Sequence, residues 1–204
     1  MKKTMAVLLS GSGRTLENFI TTLPDVTIAV VISSKSGVRG IDIAKEHDIP
    51  VYVVDRKKHT DEYTFSEAIN AIIADYDIEL IVLAGFLSKY IYPDSFEGRV
   101  LNIHPALIPA FCGKGYYGMK VHDAVITHGV KVTGCTVHFA DKEYDHGAII
   151  LQKTCPVTSC DTSHTVADKV FALELVAFPE AIRLFFEEKL TIVNNRVLIA
   201  GEKC

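Results

Sequence analysis

Val100-Leu101-Asn102-Ile103-His104-Pro105 sets an amide and an imidazole two positions apart in an apolar run. In an extended strand alternate side chains share a face, so Asn102 and His104 project together while Leu101 and Ile103 point the other way. Pro105 has no N–H to give the ladder and stops the strand. The pair therefore stands at a strand end, where α/β sheets build their sites. A carboxylate follows at a distance, Asp145 in Glu143-Tyr144-Asp145-His146-Gly147. The set holds no acyl nucleophile of the serine or cysteine kind; it suits the handling of a carbonyl group and a proton. When an amine attacks a carbonyl, negative charge develops on oxygen, and an Asn102 N–H with a donating His104 can meet it. His104 and Asp145, through a water, can relay the proton that the amine must lose. Spacing alone leaves two alternatives open: His104 as a hydrogen-bonding cap of the strand end, and Asp145 as a residue of the turn before Gly147.

A second motif, Ser10-Gly11-Ser12-Gly13-Arg14-Thr15, follows the first apolar run. Glycines let the backbone approach a ligand, and free N–H groups at a helix start attract anions. A dinucleotide fingerprint would need Gly or Ala at position 16, where Leu16 stands, and an acid after the second strand, where Ser33-Ser34-Lys35 stands. This argues against an NAD site, and Ser34 and Lys35 leave an NADP site barely open. A small phosphorylated substrate is the preferred reading, because Arg14 adds charge beside the amides. A tight turn with no ligand is the alternative.

The elements that must position these residues read as alternating strands and helices. Strands are expected at Met5 to Leu9, Thr27 to Ile32, Val51 to Val54, Leu80 to Ala84 and Val100 to His104. Helices are expected at Thr15 to Leu23, Ile41 to His47, Thr60 to Tyr76 and Met119 to His128. Two longer strands follow, Val130 to Phe139 and Ala148 to Pro156, and then a terminal helix over Thr162 to Glu188. In that helix Val166, Val170, Leu173 and Val176 fit a buried stripe, and Pro179 is expected to interrupt it. Asn194-Asn195 between apolar pairs suits a small hairpin within Thr191 to Ile199. The βαβα order implies an α/β fold, a mostly parallel sheet with helices on both faces. The longest irregular stretch, Pro105 to Gly118, is of a length that is usually functional.

Composition narrows the function classes. The 204 residues are 49% hydrophobic, enough for one sizeable core and one expected domain. A net charge of -4 without a long basic run argues against a nucleic-acid partner. No apolar run suits a membrane span, and the stretch after Lys2 and Lys3 ends too soon for a signal peptide. Cys112, Cys135, Cys155, Cys160 and Cys204 read as free thiols of a reducing cytoplasm. The histidines lack the spacing of a metal centre, and no glycine-flanked Ser elbow follows a strand. His138, within Cys135 to Phe139, reads as structural; His122, His128 and His146 read as surface or loop residues unless the fold gathers them.

Leu101-Asn102-Ile103-His104-Pro105-Ala106-Leu107-Ile108-Pro109 resembles the signature of the folate-dependent formyltransferases. Gly134 to Phe139 continuing through Asp145 to Gln152 resembles their folate-loop and aspartate segment, and Leu83-Ala84-Gly85-Phe86 their folate-pocket strand. The resemblance covers nearly the whole chain. It implies a Rossmann-like formyltransferase fold in a single domain over 1–204, with a nucleotide-phosphate half at about 1–100 and a folate and catalytic half at about 100–204. It also implies direct formyl transfer from 10-formyltetrahydrofolate, without a metal. The similarity is greatest to the branch that formylates glycinamide ribonucleotide in purine (IMP) synthesis. Another amine acceptor, or formyltetrahydrofolate hydrolysis, is the alternative. By the resemblance Asn102 would hold the formyl oxygen, His104 would stabilise the tetrahedral intermediate, and Asp145 would hold His104 and a water. Gly11, Ser12, Gly13, Arg14 and Thr15 would take the phosphate, and Glu174 would contact the ribonucleotide. Leu83, Phe86, Leu87 and Ile91 would wall the folate pocket, with Asn102 also at the folate. The backbone of Ala140, Asp141, Lys142, Glu143 and Tyr144 would hold the pteridine, and Lys89 would meet the folate tail. A monomer or homodimer in the cytoplasm is expected, with no membrane or nucleic-acid partner. Three departures stand out: Arg14-Thr15 where many members carry Ser-Asn, a longer Gly85 to Pro93 stretch, and extra residues in Ala110 to Gly118.

Overall fold

The computed structural model describes residues 3–202, so Lys2 and Cys204 lie outside the described residues. The chain divides into two compact units, Met1–Leu101 and Asn102–Cys204. The first contains β1 (Thr4–Leu9), α1 (Arg14–Thr22), β2 (Thr27–Ser33), α2 (Arg39–Glu46), β3 (Val51–Val53), α3 (Glu62–Ala74) and β4 (Leu80–Leu83). Its strands lie in the order β3-β2-β1-β4, and β1 pairs in parallel with both β2 and β4. Every residue of β1 is buried, as a parallel strand covered on both faces should be. Helix α3 starts where Asp61 accepts the Thr64 N–H at 2.8 Å, a side-chain cap. It then buries Phe65, Ile69 and Ile73 on one face at four-residue spacing.

The second unit receives β5 (Val100–His104), which begins at the end of the first. It continues through α4 (Met119–His128), β6 (Val132–Phe139), β7 (Ile149–Pro156), α5 (Ser163–Phe186), β8 (Leu190–Val193) and β9 (Arg196–Ile199). The order here is β5-β6-β7, with β6 and β7 antiparallel. The expected α/β class with a mostly parallel sheet is the one observed. Asn194 and Asn195 both take positive φ, 49° and 60°, which a two-residue hairpin turn requires.

Helix α5 corrects two expectations. It opens on a capping box, in which Thr162 and Thr165 each bond the other's backbone N–H. It then runs through Pro179 without a break. Proline removes one intrahelical bond at a cost of about 3 kcal/mol, and the burial of Ala177, Phe178, Pro179, Ala181 and Ile182 together outweighs it. Val176, expected in the buried stripe, is 56% exposed. At 3.6 residues per turn the position three turns after Val166 is Ala177, and Ala177 is buried in its place.

Two glycines let backbones meet closely. Gly13 has φ 74°, and a Cβ there would lie 2.5 Å from Gly40 Cα, so the loop before α1 rests directly on α2. Gly134 on β6 faces Lys153 of β7 so closely that a Cβ would stand 1.9 Å from the Lys153 carbonyl oxygen. Gly134→Ala is expected to destabilise the protein by about 3 kcal/mol, measured as a lower urea midpoint with an unchanged slope. An unchanged midpoint would mean that the two strands separate there without cost.

Candidate active site

Strand β5 ends at His104, which is buried, and Asn102 on the same face is half-buried. Asp145 lies in the loop between β6 and β7 at φ 54°. Its side chain is 11% exposed and faces both residues. Asp145 Oδ2 is 3.4 Å from His104 Nδ1, and Asp145 Oδ1 accepts from Asn102 Nδ2 at 3.3 Å. The three residues singled out from sequence thus converge on one carboxylate, all within the second unit.

Strand β6 brings a fourth group, His138, which its apolar surroundings had suggested was structural. Its Nε2 is 3.0 Å from Asn102 Nδ2 and 3.9 Å from Asp145 Oδ1. Burial holds its pKa below the ordinary histidine value, against the opposing effects of a bond to the Phe139 carbonyl and the Asp145 charge. The period-two spacing that paired Asn102 with His104 also pairs His138 with Thr136, and this was the available signal. The Thr136 hydroxyl donates to the Ala106 carbonyl at 2.7 Å and accepts from the Ile108 N–H at 3.1 Å and from Gln152 Nε2 at 2.9 Å. All its bonding capacity is used, which fixes the chain just after His104.

The segment with extra residues bonds to the catalytic set itself. The Phe111 carbonyl accepts from His104 Nε2 at 2.8 Å, and the Gly113 N–H donates to Asp145 Oδ2 at 2.9 Å. Between them, the Cys112 thiol is pushed up in pKa by burial and by the Asp145 charge. Such a thiol carries less thiolate than a free one. His122 corrects another expectation: it is buried on α4 beside Val121 and Val125, facing inward. Among the described residues its Nδ1 has no hydrogen-bond partner, and burial lowers its pKa. His128 and His146 are exposed, as expected.

In the loop Ala140 to Tyr144, Asp141 organises the turn. It accepts the Glu143 N–H at 2.8 Å and bonds His146 Nδ1 at 2.8 Å. Glu174 sits half-buried on α5, and its charge helps to raise the buried Cys135 thiol after burial itself.

The remaining predicted residues belong to the first unit. Gly13 is the N-cap of α1, with no side chain capping that end. The first-turn amides there carry the partial positive charge of a helix start. Ser12 and Arg14 are exposed, and Gly11 and Thr15 half-buried. Ser10 is buried; it shares a hydrogen bond of 2.6 Å with Ser34 and accepts the Leu87 N–H at 2.9 Å. It thereby ties the glycine loop to the segment of Phe86 and Leu87. Phe86 stacks on Phe65 at 6.0 Å, while Leu87 and Ile91 expose half or nearly half of their apolar surface. Leu83 is half-buried at the end of β4. Lys89 lies 3.9 Å from Glu62. Among the described residues no helix is long and apolar enough to cross a membrane, and no cluster of three or more His, Cys, Asp or Glu could hold a metal ion.

Comparison with known proteins gives one answer. The family described as formyl transferase matches residues 3–182. The trifunctional purine biosynthetic protein adenosine-3 of Gallus gallus is 40% identical over 189 residues, 90% of this chain and 18% of that protein. The chain thus spans about a fifth of the length of such multi-part relatives. The chloroplastic phosphoribosylglycinamide formyltransferase of Vigna unguiculata is 34% identical, over 93% of this chain and 62% of its own. Among solved structures, glycinamide ribonucleotide transformylase 1 from Symbiobacterium toebii superposes with a TM-score of 0.87 at 34% identity, covering 96% of this chain and 93% of that one.

Proposed function

The chain belongs to the formyl transferase family, and on that premise we propose that it moves a formyl group from 10-formyltetrahydrofolate to the amine of glycinamide ribonucleotide in purine synthesis. The observation that carries this reading is the convergence of Asn102 and His104 on Asp145. Similarity to proteins named for this reaction supports it.

The chemistry follows from the groups present. The amine nitrogen attacks the formyl carbon, a C–N bond forms, and the carbonyl electron pair moves onto oxygen. His104 Nε2 carries a hydrogen, because its partner here, the Phe111 carbonyl, can only accept. That N–H becomes the donor to the developing oxyanion once the substrate takes the place of the Phe111 carbonyl. Asp145 holds His104 through Nδ1 and, with a water, carries the proton lost by the amine. The intermediate collapses by breaking the bond from carbon to the folate nitrogen, which takes a proton as it leaves. The products are formylglycinamide ribonucleotide and tetrahydrofolate; atoms and electrons balance without a metal or a covalent enzyme intermediate.

In this reading Gly11, Ser12, Gly13, Arg14 and Thr15 hold the substrate phosphate, and Glu174 contacts the ribonucleotide. Leu83, Phe86, Leu87 and Ile91 contact the folate, the backbone of Ala140, Asp141, Lys142, Glu143 and Tyr144 holds its ring, and Lys89 leaves Glu62 for its tail. The open α1 start and the exposed Arg14 support the phosphate assignment. The reading includes a monomer or homodimer acting in the cytoplasm.

Arg14→Ala is expected to raise the KM for the nucleotide about tenfold with kcat little changed, as the loss of one charge-assisted contact should. An unchanged KM would place Arg14 away from the phosphate. The acceptor is tested by following absorbance of the formylated folate with glycinamide ribonucleotide, with methionyl-tRNA, or with neither. Consumption only with the ribonucleotide supports the proposal. Consumption without any acceptor would replace it by the hydrolase reading, and consumption with methionyl-tRNA alone would name a different transferase.

A further inference from the structure

Residues 84–93, which follow β4, belong to no helix or strand of three residues or more. Phe86 stacks on Phe65 and Tyr90 is buried, while Leu87 and Ile91 stand 50% and 40% exposed. Side chains turned outward hold a segment poorly, because they bury little apolar area. Three backbone groups of this segment are instead taken by side chains from elsewhere in the first unit. The Leu87 N–H donates to the Ser10 hydroxyl at 2.9 Å, and the Ile91 N–H to the Ser66 hydroxyl at 2.9 Å. The Ile91 carbonyl accepts from Asn70 Nδ2 at 3.1 Å. Ser66 and Asn70 sit four apart on α3, each one position beyond the buried Phe65 and Ile69. The period that builds the apolar stripe thus builds a polar stripe beside it. Glu62, one turn earlier, extends that stripe: its carboxylate lies 3.9 Å from Lys89 Nζ.

Hydrogen positions on this stripe are decided by chemistry. The Ser66 hydroxyl gives its one hydrogen to the Glu62 carbonyl at 2.7 Å and keeps a lone pair for the Ile91 N–H. The Ile91 carbonyl can only accept, so it takes the NH2 of Asn70, and Asn70 Oδ1 accepts from the Tyr90 hydroxyl at 2.7 Å. Burial pushes the Tyr90 phenol up in pKa, so it remains a donor at neutral pH. We propose that Asn70 is a positioning residue for the folate: with Ser66 it clips Tyr90 and Ile91 to α3, so that Leu87 and Ile91 stand outward as an apolar wall formed before the ligand arrives. A wall already in place removes the ordering of this segment from the free energy of binding. The clip also supports the length of the Gly85 to Pro93 stretch, which has no ladder of its own. The functional half rests on the formyl-transfer reading; the clip does not.

The test has two independent readouts. Asn70→Asp keeps the bond from Tyr90 but sets an acceptor against the Ile91 carbonyl. Without any ligand, the Leu87 and Ile91 amides of this variant should exchange hydrogen about tenfold faster than in the native protein, with the amides of β1 unchanged. Equal exchange at Leu87 and Ile91 would overturn the clip whether or not the protein transfers formyl groups. In the acceptor assay, Asn70→Asp should raise the KM for 10-formyltetrahydrofolate about tenfold, with kcat and the ribonucleotide KM within about twofold. Ser66→Ala removes the other half of the clip and adds no charge, so it should raise the same KM. A rise in Asn70→Asp that Ser66→Ala does not share would assign the effect to the new carboxylate and overturn the positioning role. A merely structural role predicts a lower melting temperature with the folate KM unmoved, and that result would overturn it too. Should the native protein show no transfer to any acceptor, the Proposed function fails and the functional half with it, while the exchange result still decides the clip.

Discussion

Asp145→Asn should lose turnover about 1,000-fold while keeping its fold. Asp145 accepts from the Gly113 N–H and from Asn102 Nδ2, and it faces His104 Nδ1. An asparagine has one acceptor oxygen and one NH2 group. If the oxygen faces Gly113 and His104, the NH2 meets the Asn102 NH2; if it faces Asn102, the NH2 meets the Gly113 N–H and the imidazole. Either orientation sets donor against donor and removes the charge that holds His104 and moves the proton. The shape is conserved, so circular dichroism should match the native protein, with the melting temperature lower by about 2–10 °C from the unmatched donors. Activity within tenfold of native would take Asp145 out of the mechanism.

His104→Ala is the second large effect, with an expected loss of about 100-fold to 1,000-fold in kcat and little change in either KM. The imidazole is buried between Asp145 and the Phe111 carbonyl and donates a hydrogen bond to that carbonyl. Its removal should therefore also loosen the Ala110 to Gly118 segment. Faster amide hydrogen exchange at Phe111 to Gly113 in the variant would report this. Lost kcat with unchanged exchange would show that the segment is held by its other contacts, such as the Phe111 ring against Tyr116 and His128. Retained kcat would remove His104 as the oxyanion donor.

Much of this site was legible because the signal was local. Asn102, His104 and Pro105 obey strand alternation and strand termination within one short run, and β5 and α4 end at the residues that periodicity and punctuation indicate. The Asn194-Asn195 turn is equally local, since asparagine tolerates the positive φ that the hairpin needs. What was not legible depends on neighbours remote in sequence. His138 reads as a core histidine until Asn102 is seen beside it on the next strand. Pro179 reads as a helix break until the packing of Phe178 and Ile182 is known. The inward face of α4 at His122 is invisible in a stretch of mixed polarity. The bonds from Phe111 and Gly113 are made by backbone atoms, which every residue carries, so no residue type could announce them. The irregular length of Pro105 to Gly118 and the extra residues within it were the hints, and neither names a hydrogen bond.

The central claim is that the formyl carbon passes to the acceptor amine. A single-turnover reaction with isotopically labelled formyl carbon on the folate, glycinamide ribonucleotide and purified protein, followed by carbon NMR, tests it most directly. The label should leave the folate and appear as the formamide of formylglycinamide ribonucleotide, with no formate. Label recovered as formate, or remaining on the folate while the ribonucleotide stays unmodified, would contradict it.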